Sequence, residues 1–181
     1  MLRVSPLVGV TQQGRFGADK GPPGILLSVV HPLSIILMIA RKGKIKDLKV
    51  ALATLQNVEI LWAGPDQFYV QSYDTDDNAL YEELSAKFTG IASIIDQSHG
   101  RVVIRIAGPK SRALLAKGTP VDLHDTEFAI GKSALTQIAH VSVHLTRTGS
   151  DEFILSVFRG FSESFWEWLI SQAAEFGYQV S

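Results

Sequence analysis

The sequence contains no cysteine, and this absence excludes disulfide bonds, a thiolate nucleophile and thiolate-bound metal ions. An excess of charge of one sign is also lacking, because 17 basic and 18 acidic residues leave a formal net charge of −1. The strongly basic surface typical of nucleic-acid-binding domains is therefore excluded. We expect no nucleic acid among the partners of this protein.

A long uninterrupted hydrophobic run is missing as well. The most apolar segment, residues 25–40, is shorter than the roughly 18 residues of a membrane-spanning helix, and His31 and Pro32 interrupt it. Its many β-branched residues favour two buried strands instead. The first ten residues lack the apolar block and the cleavage site of a signal peptide. The sequence thus predicts no membrane segment and a cytoplasmic location.

The composition that is present is typical of a globular protein, since 46% of the 181 residues are apolar and 19% are charged. This length is enough for one domain or for two tightly fused halves. We predict a single domain over residues 1–181, with two intimately packed halves, residues 1–90 and 91–181, as the open alternative.

Strand and helix patterns alternate along the chain. Apolar residues at helical spacing predict helices near residues 48–55, 77–88, 109–117 and 161–176. Apolar or alternating runs predict strands at residues 25–30, 33–40, 59–62, 68–73, 91–95, 102–106, 135–145 and 153–158. The glycine-rich segment 11–23 is predicted to be a loop. Frequent hairpins favour an α+β fold with mixed or antiparallel sheets, helices on one side and split β-α-β units.

Local signals predict how individual elements begin and end. Pro109 suits the first position of a helix, and Gly118 suits its C-terminal cap with a positive φ. Gly100 is expected to take a positive φ in a polar turn. Ser162 is a candidate N-cap of the last helix. A proline-containing turn is predicted at residues 64–67.

Two groups of residues have side chains suited to chemistry. His140 and His144 would share one strand face, but no third metal ligand is evident in the sequence. Asp96, Ser98 and His99 are the residue types of a nucleophilic triad, but triads are assembled from separated loops rather than from one tight turn. A structural turn, held by bonds from the Asp96 and Ser98 side chains to nearby N–H groups, is the favoured interpretation. We expect no catalytic, cofactor-binding or metal-binding residue on this chain.

Trp166 and Trp168 are separated by a single residue, which is an unusual arrangement for two tryptophans. On a helix the two side chains point about 200° apart, so one apolar stripe cannot easily bury both. One tryptophan is expected in the core, and the other is expected to be partly exposed or buried against another chain. Aromatic residues are enriched in interface cores, which makes both candidates for a partner interface.

Charged residues add three further candidates for that interface. Arg101 lies four residues before Arg105 on one predicted strand face, where the two can meet a partner or face solvent. Asp122 and His124 flank one leucine and would share a face in a strand. A structural role is the favoured interpretation for this pair, and a hydrogen bond between the two or to a partner is the alternative.

Five separated motifs occur in an order that resembles a known protein family. They are Ser5-Pro6-Leu7, LWAGPD at residues 61–66, DQSHGR at residues 96–101, the block from Gly108-Pro109 to Gly118 with Pro120 and Asp122-Leu123-His124, and FWEWL at residues 165–169. This ordered set resembles the gamma subunit family of heterotetrameric sarcosine oxidase.

The resemblance implies a fold similar to the folate-binding domain of the aminomethyltransferases. It also implies a holoenzyme that demethylates N-methylglycine to glycine, with hydrogen peroxide and a one-carbon unit as the other products. In that family FAD, FMN, NAD and tetrahydrofolate are expected on the larger alpha and beta subunits, with a further delta subunit completing the complex. The gamma chain is implied to be a non-catalytic assembly subunit without a cofactor of its own.

Two alternatives stay open. A stand-alone folate-dependent aminomethyltransferase-like protein would need a carboxylate for the pteridine ring, from Asp76, Asp77 or Asp96. A homo-oligomeric adaptor is the other. The glycine-rich segment 14–24 and the lysine-rich segment 41–49 match none of the family motifs, and the N-methyl amine substrate is not fixed by this chain.

Overall fold

The computed structural model describes residues 4–18, 21–31, 33–73 and 78–181. These residues form two compact units. The four-stranded unit consists of residues 31–100, and the seven-stranded unit combines residues 4–30 with residues 101–181. The single domain over residues 1–181, with its halves meeting near residue 90, stays a prediction.

Eleven strands and four α-helices are present in the described part of the chain. The strands are β1 Gly14–Phe16, β2 Ile25–Val30, β3 Ser34–Ala40, β4 Glu59–Gly64, β5 Gln67–Ser72, β6 Ala92–Asp96, β7 Arg101–Ala107, β8 Ser133–Ile138, β9 Val141–Gly149, β10 Glu152–Phe158 and β11 Tyr178–Val180. The helices are α1 Ile45–Leu52, α2 Ala79–Lys87, α3 Ser111–Ala116 and α4 Ser162–Ala173. Short 3-10 turns at Arg159–Phe161 and Ala174–Phe176 flank α4.

The four-stranded unit is an antiparallel sheet in the order β4-β5-β3-β6. Successive strand side chains point to opposite faces, so every second residue of a strand faces α1 and α2. The resulting core is a set of buried apolar side chains from three strands and both helices: Ile36, Met38, Leu48, Leu52, Val70, Leu84, Phe88 and Ala92.

The seven-stranded unit is a mixed sheet in the order β1-β11-β2-β7-β10-β9-β8. Strands β11 and β2 are parallel, and the other pairs are antiparallel. Its inner face packs on α3 and α4 through a core that includes Ile104, Leu114, Leu155, Phe165 and Leu169. The alternate residues of β7, β10, β9 and β8 form the outer face, which carries Arg101, Arg105, Phe158, His144 and Leu135.

The predicted fold class is confirmed in both units. Each sheet is antiparallel or mixed, and the helices that share its core contact one side of it. The predicted hairpin turn at residues 64–67 is confirmed as well, because β4 and β5 pair across it and Asp66 takes a φ of 57°.

Two short strands, β1 and β11, were not predicted. Residues 11–23, expected to be a loop, contain β1, which pairs antiparallel with β11 at the other end of the chain. Both strands are only three residues long. A period of two residues cannot be recognised over such a length, so pairing between distant segments decides their structure.

The single strand predicted at residues 135–145 is wrong, because the chain reverses within it. Ala139 and His140 have φ values of 51° and 67° and connect β8 to β9, with Ile138 opposite Val141. A two-residue turn with both φ values positive matches the twist of the paired strands. Glycine or asparagine usually marks such a turn, and neither is present here.

Four predicted local signals are corrected. Ser162 is the first residue of α4 rather than its cap, because a 3-10 turn runs directly into the helix, and its Oγ donates to the Arg159 carbonyl at 2.8 Å. The helix predicted from Pro109 begins at Ser111. Neither Gly100 nor Gly118 has a positive φ. Gly100 instead donates its N–H to the Gln97 carbonyl in an ordinary turn.

Gly118 is required for a different reason, which is the close approach of a side chain. A Cβ at this position would lie 2.7 Å from Cζ2 and Cη2 of Trp168 and 3.0 Å from Cγ2 of Ile138. The indole therefore occupies the space that any larger residue would need.

We expect Gly118→Ala to displace the Trp168 ring and to lower the free energy of unfolding by about 1–3 kcal/mol, as overpacking generally does. Chemical denaturation measures the loss, and a red shift of tryptophan emission reports the displaced ring. Gly160→Ala is the matched control, because no atom lies within 4 Å of the Cβ it would add. Equal midpoints for the two variants would contradict the steric role.

Candidate partner-binding surface

The two tryptophans of α4 differ in burial, as the sequence predicts. Trp166 is 1% exposed and belongs to the core of the seven-stranded unit. Trp168 is half-buried, and its ring stacks on Phe165 with 5.9 Å between the ring centroids. Of these two, Trp168 therefore offers indole surface to a partner, and its interface role stays a prediction.

Asp122 and His124 lie in an irregular segment rather than in a strand. The Asp122 carboxylate accepts the His124 N–H at 2.9 Å, and the His124 Nδ1 lies 2.9 Å from the Thr126 hydroxyl. The expected shared strand face is therefore wrong, because local side-chain bonds of this kind compete with strand pairing. Both side chains are exposed, and their contact with a partner stays a prediction.

A buried arginine that the sequence reasoning missed fixes the neighbouring loops. Arg147 of β9 donates from Nε to the Gly149 carbonyl at 3.0 Å, from Nη1 to the Phe128 carbonyl at 2.8 Å and from Nη2 to the Ser150 carbonyl at 3.0 Å. Its Nη2 also lies 2.7 Å from Asp125. The alternation of β9 places Arg147 on the same face as the buried Val143 and Leu145, and this spacing was the available signal.

Asp125 connects Arg147 to a second arginine. Its carboxylate forms ion pairs with both Arg112 and Arg147. The hydrogen bond from Arg112, with smaller contributions from Arg147, holds the pKa of Asp125 below its ordinary value. Arg112 also donates to the Leu123 carbonyl at 3.3 Å, so the loop that carries Asp122 and His124 is tied to this cluster.

Two arginines lie on the outer face of β7 and have different surroundings. The guanidinium carbon of Arg101 lies 4.3 Å from the centroid of the Phe158 ring, across the β7–β10 pair. Arg105 forms an ion pair with Glu152 of the same chain. The hydrogen bond from Arg105 holds the pKa of Glu152 below its ordinary value, and the Thr148 hydroxyl adds to this effect.

A groove of about 390 Å³ opens on the outer face beside Arg101. The side chains and backbone of four strands line it: Arg101, Leu135, Thr136, Gln137, Ser142, Val143, His144 and Phe158. Leu135 is 53% exposed and Phe158 is 43% exposed. The groove therefore combines accessible apolar surface with one permanent cation.

The groove lining includes one buried polar residue. His144 lines the groove and is only 2% exposed. Ser156 of β10 pairs with His144 in the sheet register, is buried on the same face, and its Oγ has no hydrogen-bond partner within the described part of the chain. Residues directly opposite each other in an antiparallel pair are neighbours, so this hydroxyl adjoins the imidazole.

A second cavity, of about 260 Å³, lies between the N-terminal segment, α4 and β11. It is mostly apolar and is lined by Val10, Gln12, Phe16, Trp166, Ile170, Tyr178 and Val180. The Tyr178 ring stacks on Phe16 with 5.3 Å between the centroids, and burial raises the pKa of its phenol. These contacts complete the packing of α4 against the sheet edge.

The residues suited to chemistry are not brought together. His140 is exposed in the β8–β9 turn, whereas His144 is buried on β9, so the pair does not share a strand face as expected. Across residues 4–18, 21–31, 33–73 and 78–181, no group of three His, Asp or Glu side chains is placed to hold a metal ion. None of the helices described has the length and apolarity needed to cross a membrane.

The candidate triad forms a structural turn. The Asp96 carboxylate accepts the Ser98 N–H at 2.8 Å and the Ser98 hydroxyl at 2.5 Å. The Ser98 Oγ in turn accepts the Ile35 N–H at 2.9 Å. The turn interpretation of Asp96 and Ser98 is confirmed. Asp76 and Asp77, the other carboxylates considered for a folate, lie outside the described residues.

A family model described as the sarcosine oxidase gamma subunit family matches residues 39–175. The chain belongs to the sarcosine oxidase gamma subunit family. Two relatives named sarcosine oxidase subunit gamma support the membership, each 32% identical. The one from Corynebacterium sp. strain U-96 aligns over 123 residues, which cover 65% of this chain and 57% of the relative. The one from Arthrobacter sp. aligns over 122 residues, which cover 67% and 59%. The chain thus spans less than two thirds of the length of either gamma relative.

Solved structures agree with the family membership. A chain of the heterotetrameric sarcosine oxidase from Corynebacterium sp. U-96, in complex with pyrrole 2-carboxylate, matches with a TM-score of 0.77 and 26% identity, covering 89% of this chain and 88% of that one. The glycine cleavage system aminomethyltransferase T from Bartonella henselae matches with a TM-score of 0.62 and 18% identity, covering 84% and 49%. This chain therefore has an aminomethyltransferase-like fold, as the resemblance implies.

We expect Arg147→Ala to lower the free energy of unfolding by more than about 2 kcal/mol, because it leaves several carbonyl groups without a donor. Arg147→Lys should also be destabilising, since an ammonium group lacks the planar fork that reaches three carbonyls at once. Urea denaturation measures both losses. Arg159→Ala, which removes an exposed arginine with one bond to the Val4 carbonyl, is the control. A midpoint of Arg147→Ala that equals the control would contradict this role.

The lowered pKa of Glu152 predicts a pH dependence. A carboxylate whose folded pKa lies below its ordinary value of 4.5 adds stability above that pH and loses it as the pH falls through the folded value. The difference in urea midpoint between the unsubstituted protein and Glu152→Gln should therefore be largest at pH 7 and shrink towards pH 3. Glu167→Gln, at an exposed site on α4, serves as the control. A difference that stays constant with pH would rule out this ion pair as its source.

Proposed function

We propose that this chain is a non-catalytic assembly subunit of a heterotetrameric sarcosine oxidase. The observation that carries the proposal is the outer-face groove, in a chain that belongs to the gamma family. The groove presents accessible apolar and aromatic surface on a rigid sheet, which suits contact with another subunit better than chemistry. Support also comes from the candidate triad, whose hydroxyl is engaged in a turn.

The energetics of such a groove favour association. Burial of each large apolar side chain contributes about 1.5–3 kcal/mol before the cost of association is subtracted. Leu135 and Phe158 are the large apolar side chains exposed on the groove walls, and both lie on strands that are fixed in the sheet. A preformed surface of this kind loses little conformational entropy on binding.

The proposed complex demethylates N-methylglycine to glycine, with hydrogen peroxide and a one-carbon unit as products, and it is cytoplasmic. FAD, FMN, NAD and tetrahydrofolate bind to the larger alpha and beta subunits, with a delta subunit as the fourth chain. Asp96 does not fit the role of a folate carboxylate on this chain, because its oxygen is bonded to Ser98 within a turn. The stand-alone aminomethyltransferase is thus supported by the shared fold but by no folate carboxylate among the described residues.

Co-purification of the tagged chain from its native cells tests the proposal. We expect mass spectrometry to identify larger subunits and the eluate to show flavin absorbance. A colourless chain that elutes without larger subunits would overturn the proposal. Equilibrium dialysis of that chain against tetrahydrofolate would then separate the transferase from an adaptor, since only the transferase should bind it.

Leu135→Ser should weaken recovery of the larger subunits several-fold, because it removes apolar surface from a groove wall. The fold should be unaffected, since the side chain is more than half exposed. Leu26→Ser is the matched control: this leucine is also exposed on the sheet, on β2, and does not line the groove. Quantitative pull-down from one co-expression system compares them, and equal recovery would exclude the groove as the contact surface.

A further inference from the structure

We infer that the exposed face of α1 binds an acidic segment of a larger subunit, which presents carboxylates beside an apolar side chain. This basic face consists of Lys46, Lys49, Val50 and Ala53, all of them exposed. It belongs to the four-stranded unit and shares no residue with the outer-face groove. The inference rests on the proposed function, and it adds a second contact surface and the chemistry of its partner.

The basic face follows from the helical spacing of α1. Leu48 and Leu52 point into the core of the four-stranded unit. Residues three or four positions apart lie on one side of a helix, so Lys46, Lys49 and Val50 come together on the opposite side. Val50 is 70% exposed there, which leaves an apolar side chain beside two ammonium groups. An apolar centre with a polar rim is the usual arrangement of a protein interface.

Positive charge is concentrated around this face. Residues 41–58 contain five basic side chains and one acidic side chain, although the whole chain has a net charge of −1. The acidic one, Asp47, accepts a hydrogen bond from the Lys44 ammonium at 2.8 Å. Lys46 and Lys49 form no ion pair with another described residue. Their charges are therefore available to an acidic partner.

The stability of α1 does not account for these two lysines. Like charges three residues apart repel each other on a helix surface, and Lys46 and Lys49 have this spacing. A lysine ammonium is a compact charge on a flexible stem, which suits the attraction of a carboxylate more than rigid pairing. Complementary charge of this kind speeds the encounter of two proteins and fixes their register. The pair thus serves association rather than folding.

A protein segment fits this surface better than a membrane or a nucleic acid does. A helix that lies in a membrane interface inserts its apolar face into the lipid, whereas the apolar face of α1 is packed in the core. Nucleic-acid-binding domains carry an excess of basic residues, but this chain has 18 acidic and 17 basic residues. An acidic segment with an apolar residue uses both the lysines and Val50.

The test measures how assembly depends on salt. Each tagged full-length chain is co-expressed with the larger subunits, and the complex is immobilised through a larger subunit. Biolayer interferometry follows dissociation of the chain and its rebinding at about 0.1 M and about 1 M NaCl, where the Debye length is about 10 Å and about 3 Å. Lys46→Gln/Lys49→Gln should weaken binding about fivefold at the lower salt concentration only. Lys46→Arg/Lys49→Arg should stay within about twofold at both, because it keeps the charges.

Matched controls separate the charges and the apolar side chain from general effects. Lys110→Gln/Arg159→Gln removes two positive charges from exposed sites of the seven-stranded unit and should stay within about twofold of the unsubstituted chain. Val50→Ser should weaken binding several-fold at both salt concentrations, because salt does not screen apolar burial. Val8→Ser is its control, since Val8 is 67% exposed and lies in the other unit.

The outcomes separate the inference from the proposed function. If the unsubstituted chain forms no complex, the proposed function fails. If the complex forms and the double glutamine variant of α1 binds like its control at both salt concentrations, the inference is wrong and the proposed function stands. A loss that persists undiminished at the higher salt concentration would exclude charge attraction and also overturn the inference.

Two other occupants have distinct signatures. A salt-sensitive dimer of the isolated chain that the double glutamine variant abolishes would assign the basic face to a second copy. Retention of the chain on phosphatidylserine vesicles that the same variant abolishes would assign it to a membrane. Either result, with assembly unchanged, would overturn the inference. Equal binding by Val50→Ser and Val8→Ser would overturn the part that concerns the apolar side chain.

Discussion

The register of β7 is the constraint on which the seven-stranded unit depends. This strand pairs with β2 on one side and β10 on the other, so its register positions both neighbours. Val102, Ile104 and Ile106 enter the core, and the residues between them form the outer face. A shift by one residue would exchange the two faces and bury Arg101 and Arg105 among apolar side chains. The register of β7 therefore fixes both the packing of the core and the position of Arg101 beside the groove.

This coupling explains why the groove has no local motif in the sequence. Its lining comes from β7, β8, β9 and β10, and each strand contributes only residues that appear ordinary in their own segment. Phe158 and Arg101 face each other because β10 runs antiparallel to β7, which no single window of sequence reveals. The sequence did identify Arg101 as a candidate, from its position on an exposed strand face, but could not supply Phe158, Leu135 or His144 as its neighbours.

The elements that the sequence predicted correctly are those with long periodic patterns. The apolar stripe of α4 and the central strands β7 and β10 bury one face over six or more residues, and the hairpin of β4 and β5 is marked by its turn at residues 64–67. Failures occur where tertiary context overrides local preference. Ala139 and His140 adopt positive φ values because strands β8 and β9 require the turn, and Gly118 is small because Trp168 needs the space. The sequence signal for the Arg147 cluster was the position of this arginine on the same face of β9 as the buried Val143 and Leu145.

The position of β11 has a consequence for the order of folding. This strand, from the end of the described chain, lies between β1 and β2, which come from its beginning, and it pairs with both. During synthesis β1 therefore lacks its neighbour, and β2 lacks one of its two neighbours, until β11 has been made. Pairing of such distant segments is slow because the intervening chain must first be ordered. The sheet is therefore completed only when β11 pairs with β1 and β2, and the finished surface cannot be presented to another protein before that strand has been made.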